Sequence, residues 1–169
     1  MEICLRPIGF IRTWHSDEEV KSSVFGVNGY IEVLNEYVQA LQGLDGFSHI
    51  IVIAYLHKVP RGSTGVLTVK PRRLLRYGFA LEELPEVGVF ATDSPHRPNP
   101  IALSVFRVVK IEENRIYVEN IDLYDGTPVL DIKPYTPDRS INVGLLELPD
   151  WYRRILDKLK EKFPTAPPV

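Results

Sequence analysis

Cysteine occurs once in the 169 residues, at position 4. An internal disulfide framework is therefore excluded, and no pair of thiolates exists to hold a zinc ion. A reducing, cytoplasmic location is expected, with Cys4 a small core residue. Long apolar runs are also lacking. The best one, 47–56, is interrupted by Ser48 and His49 and falls short of the roughly 20 residues that cross a bilayer, so no membrane partner is expected. No basic stretch followed by an apolar one opens the chain, and no secretory leader is expected. Neither the glycine-rich dinucleotide fingerprint nor the phosphate-binding loop is present, which argues against a Rossmann-type cofactor site. The four histidines, at 15, 49, 57 and 96, form neither an i, i+4 pair nor a close cluster, so no metal is expected. His49, inside an apolar run, reads as a core residue. No nucleophile elbow surrounds Ser94 or Ser104, which argues against covalent catalysis.

Acidic residues are missing from one long interval. Between Asp45 and Glu82 there is no Asp or Glu, while Lys58, Arg61, Lys70, Arg72, Arg73 and Arg76 all fall there. A local basic patch attracts phosphate even in a chain of net charge −2, because the nearest charges dominate the field; a solvated basic loop has the same composition.

The 44% hydrophobic and 25% charged content fits one globular domain with an appended element. The spacing predicts a bent strand over 3–14, a polar excursion over 15–23 and a short strand over 30–34. A helix is expected over 36–41, capped by Asn35 and stopped by Gly43. The run 47–56 reads as a strand buried on both faces. A long insertion, 57–85, has room for one strand at 66–70. A hairpin follows, 101–111 with 115–121, and then a strand at 129–132. From Pro149 the apolar residues Tyr152, Ile155, Leu156, Leu159 and Phe163 recur at three- and four-residue spacings, giving an amphipathic helix ended by Pro164, Pro167 and Pro168. Many short strands with two helical patterns favour a mainly β barrel or sandwich. The division expected is a barrel domain over 1–148 and a C-terminal helix with a frayed tail over 149–169.

Two polar segments carry the chemistry. In 89–104, Pro95, Pro98 and Pro100 stiffen a loop that holds Asp93, Ser94, His96, Arg97 and Asn99, an arrangement suited to a small-molecule site. In 119–128, Glu119, Asn120, Asp122, Leu123, Tyr124, Asp125 and Gly126 concentrate acids at a strand end, inviting a cationic or hydroxyl-bearing ligand; a turn in which Asp125 caps its own backbone has the same residues. His57, at the exit of the apolar strand, is placed to meet a ligand.

Phe47-Ser48-His49 before a β run, Gly88-Val89-Phe90-Ala91-Thr92, Arg97-Pro98-Asn99-Pro100-Ile101, and Asp125-Gly126-Thr127-Pro128 through Lys133-Pro134-Tyr135 follow one another in an order that resembles the TsaA-like, TrmO-type methyltransferases. The resemblance covers roughly 8–135. It implies a small β-barrel, with a short helix after the second strand, that uses S-adenosylmethionine to methylate N6 of threonylcarbamoyladenosine beside the tRNA anticodon, as a homodimer with the cofactor near the subunit interface. It implies cofactor contacts at His57, Lys58, Asp93, Leu103, Asp122, Leu123, Tyr124 and Asp125, with His57, Arg97 and Asn99 the candidates for catalysis and Arg61, Lys70, Arg72, Arg73 and Arg76 for tRNA. Two departures stand out. Asp93 occupies a position where many members have arginine, and Val20 to Ser22 replaces a Gln-Pro-Gly-like segment that touches the cofactor in bacterial relatives. Two other readings stay open: a nucleic-acid-binding barrel without catalysis, and a methyltransferase acting on a small metabolite.

Overall fold

The computed structural model describes residues 2–60 and 62–162; Arg61, among the expected tRNA contacts, and the tail from Phe163 lie outside them. Eight strands follow in chain order: β1 Gly9–Arg12, β2 Val27–Val33, β3 His49–Tyr55, β4 Thr68–Val69, β5 Val87–Gly88, β6 Ile101–Glu112, β7 Arg115–Ile121 and β8 Pro128–Pro134. Six of them close a barrel in the order β1-β2-β7-β6-β3-β8. Every pairing is antiparallel, and β8 closes on β1 through Gly9 opposite Val129. β4 and β5 form a separate ribbon in the insertion.

Alternation decides which side chains fill the barrel. Ile11, Ile31, Ile50, Val52, Phe106, Ile116 and Val129 are wholly excluded from water, while their neighbours along each strand face out. β3 is thus not buried on both faces: Ile50, Val52 and Ala54 point inward, whereas Ile51 and Ile53 are half-covered and Tyr55 is exposed. His49 lies on the outer face, half-buried, with its Nδ1 2.9 Å from Ser48 Oγ, and is not a core residue. β1 and β2 approach so closely at Gly29 that an added Cβ would stand 2.3 Å from the Arg12 carbonyl oxygen.

Other expectations are corrected. Cys4 is exposed, because the strand begins only at Gly9 and residues 2–7 precede it as irregular chain. The polar stretch after β1 is helical: α1, Asp17–Ser22, starts at a capping box in which Ser16 Oγ accepts from Glu19 N–H and the Glu19 carboxylate accepts from Ser16 N–H. The turn after β2 is a 3-10 helix, Asn35–Leu41; the residue before it is Leu34, and Asn35 is its first residue rather than a side-chain cap.

A second apolar cluster lies outside the barrel. Tyr77, Phe79 and Leu84 of the insertion meet Ile155 and Leu159 of α2, Asp150–Lys162, with Val24, Leu74 and Trp151 at its margin. Lys158 Nζ donates to Glu83 at 2.6 Å and lies over the Phe79 ring. Burial of each large apolar side chain contributes about 1.5–3 kcal/mol, so the helix is held by the insertion it covers.

Candidate active site at one mouth of the barrel

Antiparallel order brings the ends of β1, β3 and β7 and the starts of β2, β6 and β8 to one mouth. The acidic turn after β7 is pinned there. Thr127, 2% exposed, donates its hydroxyl to the Tyr124 carbonyl, and Gly126 N–H donates to the Ile11 carbonyl. Gly126 takes φ +76°, which a side-chain-bearing residue adopts at a cost. Asp125 does not cap its own turn: its carboxylate accepts from Thr13 N–H at 3.0 Å, tying β7's exit to β1's end. Thr13 in turn donates to the Asn28 carbonyl.

Asp122 is fixed from β6, where buried Ser104 donates to it at 2.7 Å. Leu103, next to Ser104, is 68% exposed on the outer face. Lys58 Nζ reaches both Asp17 oxygens, at 2.6 and 2.7 Å, and lies over the Tyr124 ring. Since solvent reaches this ion pair, its worth is geometric more than energetic. His57 sits beside the Gly126 turn. Although His57 is exposed, desolvation by the protein around its ring, then the positive charge of Lys58, lowers its pKa from the ordinary histidine value, against the opposing pull of Asp17 and Asp125. The shift favours the neutral ring, which is able to accept a proton.

The proline loop enters β6 at the same mouth. Leu56 N–H, at the exit of β3, donates to the Pro100 carbonyl, and His96 bridges to the insertion through its own carbonyl, which accepts from Val66 N–H, and its Nδ1, 3.1 Å from the Ser63 carbonyl. Asp93 and Asn99 are exposed and Arg97 is half-buried.

The structure therefore brings His57, Lys58, Asp122, Leu123, Tyr124 and Asp125 together at this mouth. Val20 to Ser22 lies inside α1: Val20 is 3% exposed, with its N–H donating to the Ser16 carbonyl, so that segment has no free loop to offer a ligand. In the insertion, Arg72 and Arg73 are exposed, whereas Lys70 donates to the Leu81 carbonyl. The Arg76 guanidinium turns inward, donating to the Lys21 and Ser23 carbonyls at the end of α1. Asp17 and Thr13 escaped the sequence reading, which weighed Ser104 only as a nucleophile; the Ser16-x-x-Glu19 spacing was the available signal for α1 and hence for Asp17. A hollow of about 420 Å³ lies at the other end of the barrel, lined by Ile8, Val33, Tyr37, Leu41 and Phe47 among others, and holds none of the expected site residues.

The family model of the tRNA-methyltransferase O N-terminal domain matches residues 20–140. The chain belongs to this family. Among tRNA-methyltransferase O relatives, a crystal structure of TrmO superposes with a TM-score of 0.63 at 32% identity, over 87% of this chain and 64% of that one. A probable S-adenosyl-L-methionine-binding protein of Pyrococcus abyssi is 37% identical over 86% of this chain and 77% of its own length. The tRNA (adenine(37)-N6)-methyltransferase of Homo sapiens is 41% identical over 68% of this chain, which spans 24% of the human enzyme. The match begins inside α1 and ends past β8, so it takes in every site residue named above that follows Val20.

Proposed function

We propose that this member of the tRNA-methyltransferase O family transfers a methyl group from S-adenosylmethionine to N6 of the adenosine beside the tRNA anticodon, with threonylcarbamoyladenosine as acceptor. The observation that carries the reading is the convergence of Asp122, Asp125, Tyr124, His57 and Lys58 at one mouth of a barrel whose relatives are named for that cofactor and that base.

The donor set suits the cofactor. Asp122 and Asp125 each have one carboxylate oxygen held by the protein, leaving the other for ribose hydroxyls or a cationic group, and Tyr124 offers apolar surface for adenine. When bound, S-adenosylmethionine supplies an electrophilic methyl on its sulfonium. The chain's part is alignment, which contributes several kcal/mol to such an in-line displacement. As the new N6–carbon bond forms, the N6 proton leaves, and the neutral His57 ring is the base at hand. Arg97 and Asn99, free of side-chain partners among the described residues, would orient the acceptor from the loop whose Pro100 carbonyl meets Leu56 N–H at the exit of β3.

Arg72 and Arg73 form the phosphate-facing part of the insertion, with Lys70 beside them in the chain, while Arg76 supports them from inside. Ile101, Leu103, Val105 and Val109 leave an apolar strip on the outer face of β6, from 36% to 68% exposed, which a second copy would cover in a homodimer. The chain works as a cytoplasmic protein, with 1–148 as the barrel domain and 149–169 as an appended C-terminal segment whose helix runs over Asp150–Lys162.

Mass spectrometry of tRNA nucleosides after incubation with the protein and S-adenosylmethionine tests the proposal. Gain of one methyl on threonylcarbamoyladenosine is expected. Transfer to a small metabolite alone, or salt-sensitive RNA binding without transfer, overturns it.

A further inference from the structure

We propose that Trp14 is the platform on which the acceptor nucleobase stacks; the assignment rests on the tRNA reading above. Alternation along β1 continues past its last residue, so Ile11 and Thr13 turn inward and Trp14 turns out, with 72% of its surface in solvent. An exposed indole on a loose loop would be unremarkable, but here the flanking backbone is fixed on both sides. Thr13 N–H is held by Asp125 and the Thr13 hydroxyl by the Asn28 carbonyl. Ser16, two residues on, is locked by the Glu19 carboxylate through both its N–H and its hydroxyl, at 2.7 and 2.8 Å. Between them His15 lies against the indole, ring centres 5.6 Å apart, with its Nδ1 3.7 Å from the same Glu19 carboxylate.

A large π-surface presented on an ordered backbone loses little entropy when a flat partner stacks on it, and a single-stranded base is read in this way. The charges nearby select for a base over a phosphate. Glu18 and Glu19, in the first turn of α1 just after Trp14, and Asp125, which holds the adjacent Thr13, would repel the backbone of an RNA, whereas an uncharged purine meets no such penalty; Asp17 is paired with Lys58. The phosphates then fall to Arg72 and Arg73, exposed on the insertion. Trp14 is adjacent in the chain to Thr13, which Asp125 holds, and so lies beside the carboxylate assigned to the cofactor; the acceptor base must come to that same place for its N6 to meet a methyl.

The chain has two tryptophans, so Trp151→Phe leaves Trp14 as the sole indole reporter. A synthetic anticodon stem-loop carrying threonylcarbamoyladenosine is expected to quench its emission, and the same RNA with an abasic site at that position is not. Trp14→Ala is expected to raise KM for tRNA about 5- to 150-fold, the range for loss of one base stack, with S-adenosylmethionine affinity measured calorimetrically unchanged; Trp14→Phe restores most of the loss. Quenching by the abasic RNA alike, a response of Trp14 to S-adenosylmethionine alone, or a response to protein concentration without RNA each overturns the assignment. If wild-type protein methylates tRNA while Trp14→Ala matches it in KM and Trp14 emission ignores RNA, this inference falls and the tRNA reading stands. If wild-type protein methylates no tRNA, both fall.

Discussion

Inside the barrel, Ile11, Ile31, Ile50 and Phe106 are wholly shut off from water, whereas in the layer made by the 57–85 insertion and α2 the best-covered side chains, Leu84 and Ile155, keep 2% and 6% of their surface. The barrel is built by strand alternation, each residue's place following from its neighbours two positions away. The layer is built from scattered apolar residues joined by cations: Lys158 on Glu83 and Phe79, and Arg76 on the end of α1. Regular pairing makes the scaffold, and irregular chain laid over it carries the exposed charge.

The sharpest way to break this contrast is Phe106→Ala, which empties the centre of the barrel and is expected to cost about 3–5 kcal/mol in denaturant unfolding. Ile155→Ala should cost less, about 2 kcal/mol, and locally: hydrogen exchange is expected to speed up across 74–84 and 151–161 while β3 and β6 keep their protection. Equal loss in the barrel strands would mean that the two clusters are one core. Arg76→Ala removes the tie between α1 and the insertion and leaves the Lys21 and Ser23 carbonyls to water, for a loss of about 1–2 kcal/mol, read as faster exchange in 17–23. The smallest effect belongs to His57, at the seam where β3 passes into the insertion. Its depressed folded-state pKa means that the folded chain binds fewer protons than the unfolded one; its contribution is fully present above the ordinary histidine value, near pH 6.5, and is lost as pH falls through the folded value. His57→Gln should flatten thermal stability against pH in that window, and an unchanged slope would show that the seam does not feel the ring.

The barrel strands were legible because period-two apolar alternation survives in β6 and β7 and because β3 is an almost unbroken β-branched run. β3 was misjudged only in depth: Ile51 and Ile53 are apolar on both faces by composition, yet their outer face lies on the barrel's surface. The 3–14 strand shrank to four residues because, after Pro7, only Gly9–Arg12 pair with β2, and of these only Gly9 and Phe10 also pair with β8. β5 was invisible, since a two-residue ribbon has no period. At the site, the Asp122 to Asp125 turn was readable from its turn chemistry, but Asp17 was not, because its meeting with Lys58 spans residues joined only by the fold. Arg76 illustrates the reverse: its sequence neighbours made it one more surface cation, and the nearness of α1, which no local pattern announces, turned it inward.

Closure of β1 on β8, Gly9 against Val129, also has a bearing on biosynthesis. At translation rates of about 5–20 residues per second, the last strand emerges roughly 6–24 s after the first. During that delay β1 and β2 can form a hairpin but present an open, hydrogen-bond-hungry flank to any other nascent chain. Only release of the final strand seals the cylinder, so the vulnerable period of this protein is set by the ribosome's pace more than by the speed of its own collapse.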